Sequence, residues 1–198
     1  MNSAPITSIP AASDFQGCEE LVRRLDHAVS LGSVEEITAG VKETLTDLLT
    51  DQVVCLPLET LAPEGNSYAR RLLYRSEEYG YVVIAMVWGV EQGTPLHDHD
   101  GVWCVEGVLQ GEIEVTRYEA LGQEGERWNF RQDDTIAAHI GESGTLIPPF
   151  DYHTIANRLD DKTAVTIHVY GRELEQASIF EPEGQGWYRR VVRQLSYN

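Results

Sequence analysis

Past residue 57 the chain breaks into short β-type runs set between turn residues, with no helical repeat separating them. The runs are "YARRLLYR" (68–75), "YVVIAMVWG" (81–89), "GVWCVEGVLQG" (101–111), "EIEVTRYEA" (112–120), "GTLIPP" (144–149), "HTIANR" (153–158) and "AVTIHVYG" (164–171). Many short strands without interleaved helices predict a sandwich or small barrel. Within 112–120, Ile113 and Val115 alternate with Glu112, Glu114 and Thr116, so one face of that strand is predicted to be wet.

The first fifty residues follow a different period. Over 14–31, Phe15, Cys18, Leu21, Val22, Leu25 and Val29 recur at intervals of three and four, which predicts an amphipathic helix. Ser33 followed by Glu36 reads as a capping box, and Ile37, Val41, Leu45, Leu48 and Leu49 continue a second helical stripe. The expected organisation is one domain: a loose leader over 1–13, a helical part over 14–50, a β-barrel over 68–171 and a C-terminal extension over 172–198. No internal repeat or linker marks a second domain.

Charge removes whole classes of partner. With 15 basic and 32 acidic residues, the formal net charge of −17 argues against nucleic acid and against anionic membranes. The longest apolar run, 81–90, is too short to cross a bilayer as a helix. Cys18, Cys55 and Cys104 are too widely and irregularly spaced for a disulfide framework or a zinc ribbon. The opening "MNSAPITSIPAASDF" lacks the pattern of a secretory signal, so a cytoplasmic protein is expected, monomeric or weakly homo-oligomeric.

Two of the six histidines stand two apart in "TPLHDHDGVWCVEGVLQG" (94–111). On a strand, residues i and i+2 share a face, so His97 and His99 are predicted to enter one cavity while Asp98 points away. Two neutral imidazoles need at least one further ligand to hold a divalent ion well. His153 in "PPFDYHTIAN" is the third candidate, and His168 in "VTIHVYG" a fourth.

The H-x-H pair followed by Gly111, together with His153 preceded by Pro148 and Pro149 and followed by Asn157, resembles the two short motifs of the cupin barrel. Two positions depart from it: Cys104 stands where a glutamate ligand is usual, and Phe150 where many cupins have glycine. The cysteine is itself similar to what the thiol dioxygenases carry, the cupin branch that includes cysteine dioxygenase. The resemblance runs from about residue 68 to 171. It implies an all-β cupin, a small barrel or jelly roll, with two N-terminal α-helices.

That resemblance also implies a chemistry. His97, His99 and His153 would hold ferrous iron, Fe(2+), and a small thiol and O2 would combine to give a sulfinate, with L-cysteine as the thiol. Three histidines alone suit zinc, nickel or copper as well. Arg70, by register with the family, would hold the substrate carboxylate, with Tyr68 on the same strand face; a slip of one residue would give that role to Arg71. Thr166, His168 and Tyr170 would form the hydroxyl relay, threonine replacing the usual serine. Cys104 and Tyr170 are the partners of a thioether crosslink in animal-type relatives; a buried free cysteine is the other reading of Cys104. The alternatives are another thiol acid, either 3-mercaptopropionate (whose bacterial oxidases resemble this chain but carry glutamine at the Arg70 position) or mercaptosuccinate, a non-catalytic cupin that binds metal and ligand, and a cupin isomerase or carbon-bond-cleaving dioxygenase.

Overall fold

The computed structural model describes residues 14–198; the leader expected over 1–13 lies outside them. Helices α1 (Cys18–Val29) and α2 (Val34–Thr50) open the described chain. Eleven strands follow: β1 (Ala69–Arg75), β2 (Val82–Trp88), β3 (Leu96–His97), β4 (Cys104–Gln110), β5 (Glu112–Glu124), β6 (Arg127–His139), β7 (Ser143–Leu146), β8 (His153–Ala156), β9 (Ala164–Tyr170), β10 (Gln176–Gly184) and β11 (Trp187–Gln194). The helix α2 begins where its capping box dictates. The Ser33 hydroxyl accepts from the Glu36 amide at 3.2 Å, and the Glu36 carboxylate accepts from the Ser33 amide at 2.9 Å.

Five strands form an antiparallel sheet in the order β1-β2-β9-β4-β7, and the other six close on themselves in the order β10-β11-β6-β5-β8-β3. Strand alternation divides the first sheet between two cores. Val83, Ala85 and Val87 of β2 and Val165, Ile167 and Val169 of β9 pack with Leu21, Leu25, Leu45 and Leu48 of the helices. Val82, Ile84, Met86 and Trp88 face the other way, into the barrel with Cys104, Ile113, Ile155 and Tyr170. Covered on both faces, β2 and β9 are buried at every residue, which is why their sequences are nearly continuous apolar runs. No helix among the described residues is long and apolar enough to cross a membrane.

The helix–sheet contact is close enough to require a missing side chain. A Cβ on Gly107 of β4 would stand 2.8 Å from Leu49 Cδ1 and 2.7 Å from Ser143 Oγ. Glycine there lets α2 settle on the sheet.

Three features differ from the sequence expectation. Residues 172–198 are not an appendage, because β10 and β11 complete the closed set and β10 pairs with β3. Strand β6 also lies outside the predicted runs; it forms a long, largely exposed hairpin with β5, so its sequence lacks a buried face to read. Finally, β3 ends at His97. His99 stands beyond it, at the start of a turn in which Asp100 and Gly101 have φ of 51° and 73° and the Val102 amide donates to the His99 carbonyl at 2.9 Å.

Leu45 is fully buried between α2 and the sheet. Leu45→Ala is expected to lower the free energy of unfolding by about 2–5 kcal/mol, and Ser33→Ala by about 1 kcal/mol, as measured by urea titration.

Candidate metal centre

The three histidines come from two short strands and a turn. His97 on β3 pairs directly with His153 on β8, and their ring centroids lie 4.4 Å apart. The turn brings His99 to 5.3 Å from His97 and 5.0 Å from His153. One ligand nitrogen from each lies within 4.8 Å of the others.

Hydrogen bonds at the rear of the rings decide which nitrogen faces inward. His97 Nδ1 donates to the Pro95 carbonyl at 3.1 Å, and His153 Nδ1 to the Asp151 carbonyl at 2.7 Å. Both Nε2 lone pairs are thereby left for the centre of the cluster, and His153 Nε2 is buried without any partner. Burial holds all three imidazoles below the ordinary histidine range, His99 and His153 furthest, reinforced by their mutual repulsion. Three neutral, converging nitrogens with an orphaned lone pair fit a divalent first-row metal ion.

Two aspartates hold the loop that carries His99. Asp98 Oδ1 accepts from the Ser178 amide of β10 at 2.8 Å and from the Asp100 amide at 3.2 Å. Asp151 Oδ2 accepts from the His99 amide at 2.9 Å. Asp98 lines the same cavity as His97 and His99, with its carboxylate committed to β10 and to the turn. Neither aspartate was singled out as functional in the sequence; the D-x-H spacing of Asp151 and His153 was the available signal.

A cavity of about 410 Å³ lies over this cluster. Tyr68, Arg70, His97, His99, His168 and Tyr170 all line it. Arg70 is buried, whereas Arg71 turns the other way, donating to the Ala62 carbonyl at 2.8 Å and pairing with Glu64 at 3.3 Å. The C-terminal segment braces Arg70: its Nη1 donates to the Ser196 carbonyl at 3.2 Å, and its Cζ lies 5.3 Å from the Tyr197 ring centroid. Tyr68 packs on Trp88 at 4.8 Å between centroids.

On β9, Thr166, His168 and Tyr170 share the inward face. Thr166 Oγ1 accepts from Trp88 Nε1 at 2.9 Å and lies 2.7 Å from His168 Nε2, while the Tyr170 hydroxyl lies 3.3 Å from His168 Nδ1. Burial pushes His168 down to about 3 and the Tyr170 phenol well up, so both are neutral over the physiological range. Tyr170 stands 5.5 Å from His99, centroid to centroid, which links the hydroxyl chain to the metal cluster. Cys104 of β4 is the cross-strand partner of Tyr170. Asn157 is structural: its Nδ2 donates to the Trp88, Gly89 and Lys162 carbonyls.

A sequence model for cysteine dioxygenase type I matches residues 63–183. The chain belongs to this family. The match spans the histidine cluster, Arg70 and the β9 hydroxyl chain together, and the strand order and closure described above make the cysteine dioxygenase relative an all-β cupin with two N-terminal helices. Similar solved structures include a double-stranded β-helix protein from Klebsiella pneumoniae subsp. pneumoniae MGH 78578, at 15% identity over 65% of this chain and 97% of that one, with a TM-score of 0.48. An RmlC-like cupin from Desulfovibrio desulfuricans matches at 18% identity over 60% and 96%, TM-score 0.41. A cupin superfamily protein from Desulfitobacterium hafniense DCB-2 matches at 15% over 60% and 90%, TM-score 0.43.

His153→Ala is expected to abolish stoichiometric metal binding, because it removes the orphaned inward nitrogen. Asp151→Asn should weaken metal affinity by about tenfold or more while leaving the fold intact. Chelator competition on the refolded, metal-loaded variants measures both; full affinity in either would exclude its assigned part.

Proposed function

We propose that this chain is a ferrous-iron-dependent thiol dioxygenase that oxidises L-cysteine with O2 to cysteine sulfinate. Arg70 carries the reading: a buried guanidinium in the same cavity as His97 and His99, two of the three clustered histidines, suits a small substrate with a carboxylate at one end and a metal-seeking thiol at the other. When bound by His97, His99 and His153, ferrous iron supplies open coordination positions for a thiolate and dioxygen and the redox chemistry that joins them.

The protein's own groups do the rest. Arg70 offers paired, charge-assisted hydrogen bonds to the carboxylate and so fixes the direction in which the thiol points. Its contact with Ser196 and Tyr197 holds the guanidinium in place before substrate arrives, which lowers the entropy lost on binding. Tyr68 adds a hydroxyl on the same wall. The Tyr170 hydroxyl, held by His168, faces the reacting end and can give or take a hydrogen bond there. Apolar Met86, Ile155 and Phe180 line the remaining wall and limit water around the reacting atoms.

The register of Cys104 with Tyr170 supports a thioether between them, in which the S–H and a ring C–H break, a C–S bond forms, and O2 takes up the two electrons and two protons to give hydrogen peroxide. A second substrate reading has an observation of its own. Arg193 also lines the cavity, 3.3 Å from Glu181, and supplies a second cation for a thiol with two carboxylates such as mercaptosuccinate.

Oxygen uptake by the iron-loaded protein, with cysteine, 3-mercaptopropionate and mercaptosuccinate offered in parallel and products identified by mass, is expected to show a sulfinate and a preference for cysteine. Preference for mercaptosuccinate would transfer the assignment to the second reading; no uptake at verified iron occupancy would overturn both. Arg70→Gln should raise KM for cysteine by about tenfold or more through loss of the charge-assisted pair. Tyr170→Phe should depress kcat with metal content unchanged.

A further inference from the structure

Strand β4 carries an ionisable side chain in the wall between two cavities. The β4–β9 ladder sets Cys104 opposite Tyr170, Glu106 opposite His168 and Val108 opposite Thr166. On the other side of β9, His168 is flanked by Ile84 of β2. Glu106 is therefore the ionisable cross-strand neighbour of His168, and its Oε2 lies 3.5 Å from His168 Nδ1. That oxygen is buried and has no hydrogen-bond partner.

His168 lines the metal cavity, while Glu106 and Thr166 line a second cavity of about 740 Å³ on the far side. The second cavity has exposed Ile136 and Ile140 at its rim, so water has a way in. Burial raises the Glu106 carboxyl to about 8, a range in which it can both hold and release a proton near neutral pH.

The hydroxyl chain has two proton arrangements. In one, Thr166 donates to His168 Nε2 and His168 Nδ1–H donates outward, to Tyr170, to Glu106 or to the Cys104 sulfur 3.9 Å away. In the other, His168 Nε2–H donates to Thr166, and Nδ1 accepts from the Tyr170 hydroxyl. An ionised Glu106 favours a proton on Nδ1; a protonated one can supply the proton to Nδ1 itself.

We propose that Glu106 is a fourth member of the Thr166–His168–Tyr170 chain, a positioning residue that sets the direction of the His168–Tyr170 hydrogen bond and passes protons between His168 and the second cavity. The inference rests on the thiol dioxygenase reading for its purpose. Converting a thiol to a sulfinate breaks the S–H and O–O bonds, forms two S–O bonds, moves four electrons from sulfur to oxygen and releases one proton. With substrate filling the metal cavity, Tyr170, His168 and Glu106 give that proton a route to the water of the second cavity.

The titratable groups beside Glu106 are His168 and Tyr170 on β9 and Cys104 on β4, while Lys42 on α2, Arg117 on β5 and Glu142 before β7 line the second cavity that it faces. The decisive measurement is on metal-free protein, ¹⁵N-labelled at histidine, with His168 assigned by its absence in His168→Phe. From about pH 6 to about pH 10 the His168 ring nitrogens should shift between tautomer positions with a midpoint near 8, and this step should vanish in Glu106→Gln. In the iron-loaded enzyme, Glu106→Gln should lower kcat about tenfold or more, with KM and metal content unchanged; Glu106→Asp should restore the pH-dependent step at a displaced midpoint. A flat His168 signal in the unsubstituted protein, or the same step persisting in Glu106→Gln, would overturn the proposal, as would an unchanged kcat. Absence of thiol oxidation in the unsubstituted enzyme would sink the dioxygenase reading while leaving the tautomer result to stand or fall alone.

Discussion

Everything at the centre of this barrel depends on two hydrogen bonds that face away from it. His97 and His153 each commit Nδ1 to a backbone carbonyl, and only that commitment leaves the opposite lone pairs aimed at one point. Each carbonyl belongs to the residue two before its histidine, Pro95 or Asp151, so the ring orientation is fixed by local backbone geometry. The β3–β8 pairing then places the two rings side by side, and the β3–β10 pairing anchors the short strand that would otherwise be an edge. A two-residue strand is a weak element by itself. Flanked on both sides, and with Asp98 and Asp151 tying down the turn that follows, it becomes a rigid mount.

The opposite wall is built on a different principle. Strands β2, β9 and β4 lie at the middle of their sheet, under the helices, and are the most deeply buried in the molecule. Polar groups placed there have no water to compensate them, so each must find a partner across the ladder or along the strand. Trp88, Thr166, His168 and Tyr170 satisfy one another in sequence. Glu106 does not, and a buried carboxyl oxygen without a partner beside an imidazole is the kind of local conflict that a purely structural core would have exchanged for an aliphatic side chain.

How much of this could be read from the sequence varies with how local the cause is. The capping box of Ser33 and Glu36 and the apolar runs of β2 and β9 state their roles within a few residues, and those elements lie where they were expected. The histidine triad was legible because its spacing carries a motif. Strands β6 and β11 were not legible: "RWNFRQDDTIAAH" and "WYRRVVRQ" leave most side chains in solvent, so neither periodicity nor hydropathy distinguishes them from loops. Which of Arg70 and Arg71 enters the cavity turns on a register that only the pairing with Met86 and Ala85 reveals. Glu106 is invisible for the same reason. Its neighbour His168 is 62 positions away in sequence, and nothing in "CVEGVLQG" marks the glutamate as more than an alternating polar residue.

The C-terminal segment shows how far such a site reaches beyond its motifs. Asn198 exchanges hydrogen bonds with the Arg70 backbone at 2.9 Å in both directions, Tyr197 covers the guanidinium and donates to Glu173 at 3.0 Å, and Leu195 joins the cavity wall. Burial and the Glu173 carboxylate push the Tyr197 phenol up to about 12, so it remains a neutral donor to that carboxylate throughout the physiological range. An arginine on a sheet flank, with long flexible stems on both sides, would lose much of its pairing energy to ordering its own side chain. Here the chain end takes up that ordering during folding. The guanidinium is thereby held at the wall of the cavity that His97 and His99 also line, by a segment that carries no cupin motif at all.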